Sequence, residues 1–568
     1  MADGASHAAA PTASGEVDLG PLTVSVDEAP DTGGWTWTVA NRGDRPLAVR
    51  SVRLVLRVLD AAGPIRMFRN GYQSWSPAAV ATLGVDRDPS NLAAVSRLVR
   101  SMHHADEAVA VDGELRSELV TVLADAAPER VLVGFLGGSD HDGTLRLREV
   151  SGGVELAAEA FLGGAVLQPG ERRPLHPVAV DRSPDHSDLL ERWAATVGRR
   201  AGARTRAEYQ VGWCFWYHYF GDVTEADLRS NLARSGDWPF DVFQLDDGYQ
   251  ATIGDWRRTT EAFPSALDAL AGSIAAEGRR PGIWIAPFIA RPDAPVVQDH
   301  PGWVARYRDG HHPLIGMWHP VWGGETLTLD TTNPEVSAWL EQLAADLVAA
   351  GFTYLKLDFT YAPAAEGVFH DPGLTPAQRV RAGYDAVRRG AGDDAFILGC
   401  GAPLGAVVGV VDGMRIGADV APHWALKDDQ YRPGAYELGE PATRNAWGNT
   451  LTRSFMHRHL WLNDPDCVML RLTETDMGAD AVRTWAHAVG VSGGMALVSD
   501  DLALLDDGAR TLLDEVVALG RASDDAARAG APARCPDLLD AAVPGRLSGG
   551  GATLVADPTV PASTLSRS

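Results

Sequence analysis

From residue 20 to about 183, apolar residues recur at every second position, in short runs separated by clusters of Gly, Pro and Asp. Trp35, Trp37 and Val39 form one run. Val52, Leu54, Leu56 and Val58 form another, and Val131, Val133 and Phe135, then Leu145 and Leu147, follow. A period of two marks strands that bury one face, and many such runs between turn residues predict a large antiparallel β-sandwich over 19–185. Residues 1–18, rich in Ala, Gly and Ser, are expected to be a disordered terminus. Leu189, Leu190, Trp193 and Val197 switch to helical spacing and predict a helical linker over 186–207.

From 208 to 502 the pattern changes again. Eight short apolar stretches predict strands: VGWCFWYH (211–218), FDVFQLDD (240–247), PGIWIAPF (281–288), FTYLKLDF (352–359), AFILGCG (395–401), DGMRIG (412–417), HLWLND (459–464) and GMALVSD (494–500). Two intervening helices are well signalled. One starts at Asn333-Pro334, carries Val336, Leu340, Leu343 and Leu347, and ends before Gly351; the other starts at Thr375-Pro376 and stops at Gly390. Pro at the first helical position and Gly past the end is the expected asymmetry. Eight strands with helices between them predict a (β/α)8 barrel. The alternative, an open doubly wound sheet, lacks support, because there is no GxGxxG and no P-loop. Residues 503–568 begin helical and end in a weak strand (ATLVAD, 552–557), which predicts a small C-terminal region of β type, read as an incomplete β domain. The fold class is thus multidomain: sandwich, barrel and a small C-terminal region.

Composition narrows the functions. The 568 residues carry 50 basic and 75 acidic side chains, a net charge of −25. Such a surface disfavours nucleic acid and anionic membrane, and no run approaches the ~18 apolar residues of a membrane span. The start, MADGASHAAAPTASG, has neither a basic nor an apolar leader region. Cys214, Cys400, Cys467 and Cys535 form no CxxC pair. Both features lead us to expect a cytoplasmic protein without structural zinc. Trp, at 17, outnumbers Phe and Tyr, which suits the apolar faces of sugars as well as it suits ordinary cores. Lysine occurs only at 356 and 427. Lys427 reads as a surface survivor; Lys356 lies inside a predicted barrel strand.

The strand ends carry the candidate chemistry, as expected of a barrel. Asp246-Asp247-Gly248 ends the second strand, Lys356 and Asp358 the fourth, Arg415 and Asp419 the sixth, and Asn463-Asp464-Pro465-Asp466 the seventh. Side chains alternate along a strand, so Lys356 and Asp358 share a face, as do Arg415 and Asp419 if their strand extends. Two carboxylates from different strands, each beside a cation, can divide the roles of anion and acid. An Asp at a strand end also serves as a cap or turn former, and Asp330 and Asp241 are read that way. Several acids could bind a hard cation, but Lys356 and Arg415 would compete there, so no metal is expected. The histidines of His457-Arg458-His459 read as structural.

The order GWCFWYHYF (212–220), QLDDGYQ (244–250), PGIWIAPF (281–288), YLKLDF (354–359), GCGAPLG (399–405), DGMRIGADVAPHW (412–424) and HLWLNDPDC (459–467) resembles the α-galactosidases (melibiases) of glycoside hydrolase family 36. NGYQSWS (70–76) resembles that family's sandwich domain. The resemblance implies that Asp358 is the nucleophile and Asp419 the acid/base. It implies that Asp246 and Asp247 grip the 4- and 6-hydroxyls of galactose, with Lys356 and Arg415 as sugar-binding cations. Trp284, Cys400 and Trp216 (Trp213 less so) would wall the pocket, and Trp75 would be lent to it by the sandwich. The implied activity is a retaining exo-α-galactosidase acting on small α-galactosides such as melibiose or raffinose, with no cofactor. The oligomeric state stays open. Rivals are an α-N-acetylgalactosaminidase or a galactosyl transferase of the same family and, from other classes, a metal-dependent barrel hydrolase or a silent sugar-binding protein.

Overall fold

The period-two runs do form two face-to-face sheets. In the computed structural model, which describes residues 8–9, 15–31, 33–58, 63–87, 96–108, 111–426 and 439–567, one sheet has five strands. Their order is Ala8–Ala9, Leu47–Val58, Gly153–Leu167, Asp142–Val150, Leu115–Glu118. The other has eight, in the order Gly15–Leu19, Leu22–Ala29, Gly34–Asn41, Arg172–Ser183, Arg130–Phe135, Val120–Ala124, Arg66–Arg69, Ala79–Thr82. All pairings are antiparallel except the two residues Ala8–Ala9, which lie parallel to Leu47–Val58. Trp37, Val39, Leu54, Val133, Phe135, Leu145 and Leu147 meet in one core between the sheets. The terminus expected to be disordered is corrected in part. Val17 and Leu19 alternate like the runs that follow, and Gly15–Leu19 pairs with Leu22–Ala29.

The polar face of the five-stranded sheet is buried as well. Arg146 joins Glu114 at 2.7 Å, Glu159 at 2.5 Å and Asp106 at 3.3 Å, all with little exposure. Arg50 extends this network to Glu366 of the barrel. The alternation reports two faces of different chemistry, and here the charged face is covered because its charges are paired.

The eight predicted stretches give eight parallel barrel strands, each shorter than its stretch: Val211–Cys214, Val242–Leu245, Arg280–Ile285, Tyr354–Leu357, Phe396–Gly399, Gly413–Arg415, Leu462–Asp464 and Ala496–Val498. The first pairs with the eighth. The seventh and eighth meet through the Met495 amide, which donates to the Asn463 carbonyl at 2.9 Å, so the barrel is nearly closed. The helix Pro334–Ala349 is capped by the Asn333 side chain as expected. The helix Pro376–Ala391 opens on a Thr375–Gln378 capping box but runs through Gly390, with Gly392 as its cap. Gly390 is there for close approach: a Cβ would lie 1.9 Å from the Glu341 carbonyl oxygen of the neighbouring helix. Thr375 and Asn333 do what their position before Pro suggests.

Beyond the barrel, the helix Asp507–Arg528 packs on the helix Ala479–Ser492, and three antiparallel strands follow, Arg546–Gly549, Ala552–Asp557 and Val560–Arg567. The C-terminal region is thus a long amphipathic helix followed by the expected β structure, a three-stranded sheet. Among the described residues no helix is long and apolar enough to cross a membrane.

The loop 70–76 leaves the sandwich and lies on the barrel. Arg453, fully buried, donates to the carbonyls of Gly71, Gln73 and Ser74 and to Asn70 Oδ1. Asn449 Nδ2 donates to the Ser74 and Ser76 carbonyls, and the Gly401 amide donates to Ser74 Oγ at 2.9 Å.

Candidate active site

At the carboxyl ends of the barrel strands the acids form a ring around two cations. The second strand runs into Asp246 and Asp247, and Gly248 turns the chain with φ +121°, where a Cβ would press on Val223. Asp246 Oδ2 accepts from Lys356 Nζ at 3.0 Å and from Cys214 Sγ at 3.3 Å, and it contacts the Gln244 amide. Asp247 accepts from Trp322 Nε1 at 2.8 Å and Gln250 Nε2 at 2.5 Å. Burial, with the charges of Asp246 and Asp358 behind it, pushes the Asp247 carboxyl up to about 6 against those two donors.

The fourth strand presents Lys356 and Asp358, both buried. Asp358 accepts from Trp284 Nε1 at 3.0 Å and from the Phe359 amide at 2.8 Å. Phe359 is left-handed, φ +52°, a strained conformation for a bulky residue of the kind that gathers at functional sites. Alternation led us to expect Lys356 to pair with Asp358. Its ammonium binds Asp246 instead, reaching across the third strand to the carboxylate that follows the second. Burial works to lower the Lys356 pKa, but Asp246 and, to a lesser degree, Asp358 hold it well above the usual range.

Arg415, at the end of the sixth strand, reaches three carboxylates: Asp419 at 2.9 Å, Asp464 at 3.0 Å and Asp466 at 2.7 Å. The strand stops at Arg415, so Asp419 returns from the following loop rather than by alternation. A third of the Asp419 side chain is open, at 33% exposure, whereas that of Asp466 is sealed. Burial and then the Asp466 charge push Asp419 up to about 7, with Arg415 opposing.

Trp75 sits on this ring. It packs edge-to-face on Phe359 and Tyr361, with ring centroids 5.0 and 6.2 Å apart, and touches buried Cys400. Its Nε1 is buried with no partner among the described residues. Trp216 is placed differently than strand alternation implied. The first strand ends at Cys214 and Trp216 opens the helical turn Trp216–Tyr219, so its ring meets Phe220 at 5.5 Å instead of following Cys214 into the barrel. Trp213 is fully buried against Phe243. Lys427 lies outside the described residues. Asp330 caps the turn at Thr332, Asp241 accepts from the Val211 amide, and His457 bonds Asp524 at 2.9 Å, all structural uses. Among the described residues, no three His, Cys, Asp or Glu side chains converge as metal ligands would.

Sequence reasoning missed Trp322, Gln250 and Tyr217. Trp322 sits at the tip of a hairpin, Ile315–His319 with Gly324–Thr328, inserted between the third and fourth barrel strands. Only the Trp excess and the Gly323-Gly324 turn hinted at it.

Residues 212–366 match the melibiase family model. The α-galactosidase TtGalA of Thermus thermophilus, solved with p-nitrophenyl α-D-galactopyranoside, superposes with a TM-score of 0.73 at 27% identity, covering 96% of this chain and 100% of that one. The chain is thus similar to melibiases over 212–366 and to a solved α-galactosidase over nearly its whole length. The family 36 α-galactosidase AgaA of Geobacillus stearothermophilus shares the fold, at a TM-score of 0.58 and 14% identity, over 89% of this chain and 68% of that one. Among curated sequences, α-galactosidase C of Emericella nidulans is 24% identical over 162 residues, 25% of this chain and 20% of that protein. The chain's match thus spans about a fifth of the length of such curated melibiase relatives.

Proposed function

We propose that this melibiase relative is a retaining exo-α-galactosidase, with Asp358 as nucleophile and Asp419 as acid/base. One observation carries the reading. A carboxylate held by two N–H donors, just past the fourth strand, and a carboxyl pushed up to about 7, in the loop after the sixth, lie near each other at the carboxyl end of the barrel. Double displacement needs that division of roles. Asp358 attacks the anomeric carbon while Asp419 gives its proton to the departing glycosidic oxygen. Asp419, now an anion, then takes a proton from water, which displaces Asp358 and restores the α configuration.

Asp246 and Asp247 are the acceptors for the 4- and 6-hydroxyls. A site that binds an axial hydroxyl through buried acceptors rejects the equatorial isomer, which would leave an acceptor unpaired. Lys356 and Arg415 flank the sugar, and Trp284, Cys400 and Trp75 wall it. The Trp75 Nε1, buried without a partner among the described residues, is the proposed donor to a ligand oxygen. Trp216 belongs to the rim. Small α-galactosides such as melibiose or raffinose are the proposed substrates. The complexes of TtGalA with stachyose and with p-nitrophenyl α-D-galactopyranoside support that class. No cofactor enters the scheme. The segments 19–185, 186–207, 208–502 and 503–568 are its proposed units, and four buried unbridged cysteines support a reducing, cytoplasmic setting.

Azide rescue tests the assignment. Asp358→Ala with azide should yield β-galactosyl azide, and Asp419→Ala the α-azide. Release of β-galactose as the first product, read by proton NMR, would overturn the retaining mechanism.

A further inference from the structure

Two aspartates of the ring, Asp464 and Asp466, have no role in that scheme. Asp466 follows the seventh strand, is fully buried and has a left-handed backbone, φ +89°. Its surroundings impose that conformation. Oδ1 accepts from Arg415 Nη2 at 2.7 Å and from the Cys467 amide at 2.7 Å. Oδ2 accepts from the Tyr217 hydroxyl at 2.5 Å and from the Val420 amide at 2.9 Å. Three of the four partners can only donate, so a proton on Asp466 would displace one of them. Val420 is the residue after Asp419. Asp466 therefore fixes the backbone that carries Asp419 and also shares the Arg415 guanidinium with it.

We propose that Asp466 is the positioning residue for proton delivery: its anion engages Arg415 and repels charge on Asp419, so that Asp419 holds the proton until the glycosidic oxygen arrives. This rests on Asp419 being the acid/base. The geometry distinguishes the two carboxyls. Among the hydrogen bonds of the described residues only Oδ1 of Asp419 is engaged, by Arg415, which leaves Oδ2 to carry a proton into the open cup.

The groups facing Asp419 are Asp466, Asp358, Arg415 and Lys356, with the Tyr217 phenol and Cys400 thiol alongside. Those facing Asp466 are Arg415, Asp464, Tyr217, Lys356, Cys467 and Asp419. Removing the Asp466 charge takes away a like charge and frees Arg415, and both changes favour the Asp419 anion. The acid form is then lost at lower pH.

The experiment compares pH profiles of kcat/KM on p-nitrophenyl α-galactoside for the native protein and Asp466→Asn. The basic limb should move down by about one pH unit or more; its position, not the plateau, is the readout. A folded variant whose basic limb has not moved overturns the proposal. Asn also sets an N–H against donors, so a measurement on the native chain accompanies it. Infrared difference spectra against Asp419→Asn should assign the carboxyl protonated near neutral pH to Asp419. A protonated band that survives in Asp419→Asn and disappears in Asp466→Asn would reverse the order and overturn the proposal. If the native protein leaves α-galactosides intact, the functional reading fails, while the spectra still report which carboxyl carries the proton.

Discussion

Replacing Trp322 by Phe removes one N–H and keeps most of the ring that packs on Phe359. That N–H donates to Asp247 at 2.8 Å and, with Gln250, opposes the burial that pushes Asp247 up to about 6. A hydrogen bond to an ionised group contributes about 1.5–3 kcal/mol, and one pH unit corresponds to about 1.4 kcal/mol. The variant's Asp247 should therefore titrate about one to two units higher. In the proposed scheme Asp247 accepts sugar hydroxyls as an anion, so the grip should be present above its pKa and lost as pH falls through it. In the native protein galactose binding should weaken below pH of about 6, following Asp247. In Trp322→Phe the same loss should begin between about pH 7 and 8. Stability has the opposite sign. The folded pKa lies above the unfolded one, so the contribution of Asp247 is present below pH of about 4 and lost as pH rises through 6, on the order of 3 kcal/mol. In the variant that loss continues to higher pH. Calorimetric titration of galactose from pH 5 to 8.5, with melting temperatures at each pH, reads both. Equal binding midpoints in the two folded proteins would refute the reasoning.

Lys356→Arg keeps the charge but puts a planar fork where a compact ammonium sits 3.0 Å from Asp246. Disturbing a buried pair costs several kcal/mol, so kcat/KM should fall about a hundred-fold or more; near-native kinetics would show that Lys356 is incidental. Trp75→Ala should lower kcat/KM by about ten- to a hundred-fold, the ~1–3 kcal/mol of an interface aromatic, with only a modest drop in melting temperature. The reverse pattern, a large drop with native kinetics, would make Trp75 a packing residue alone. Gly390→Ala should lower the melting temperature despite the ~1 kcal/mol gain in helix propensity, because its Cβ would lie 1.9 Å from the Glu341 carbonyl oxygen; kcat should not change.

The barrel strands were legible because each is a short apolar run ending in polar residues, a pattern that survives without knowledge of the neighbours. Their ends were not. VGWCFWYH reads as one strand, yet the chain coils after Cys214, where the barrel rim leaves Phe215 and Trp216 no strand to pair with. Asp246, Asp247, Lys356, Asp358, Arg415 and Asp419 do converge, but which carboxylate takes which cation depends on how the strands lie side by side, as Lys356 and Asp246 illustrate. Trp322 was invisible because it reaches the ring from an inserted hairpin, and no local period marks the tip of a turn. Gly390 carried a misleading signal. Glycine near a helix end reads as a stop, but here it answers to a second helix in contact with it.

The strap between the loop 70–76 and the barrel ties residues far apart in time as well as in sequence. Arg453 and Asn70, 383 positions apart, share a hydrogen bond. On the ribosome, at ~5–20 residues per second, the sandwich waits tens of seconds before the residue that anchors its loop is made. Until then the loop that carries Trp75 lacks that anchor. Arg453, fully buried in the finished molecule, lacks four of its acceptors until the loop docks and keeps the Ile416 carbonyl. Under the proposed function, a molecule whose halves have folded but not met should lack the Trp75 side of the site. On refolding, recovery of sugar binding should lag behind the burial of the barrel tryptophans.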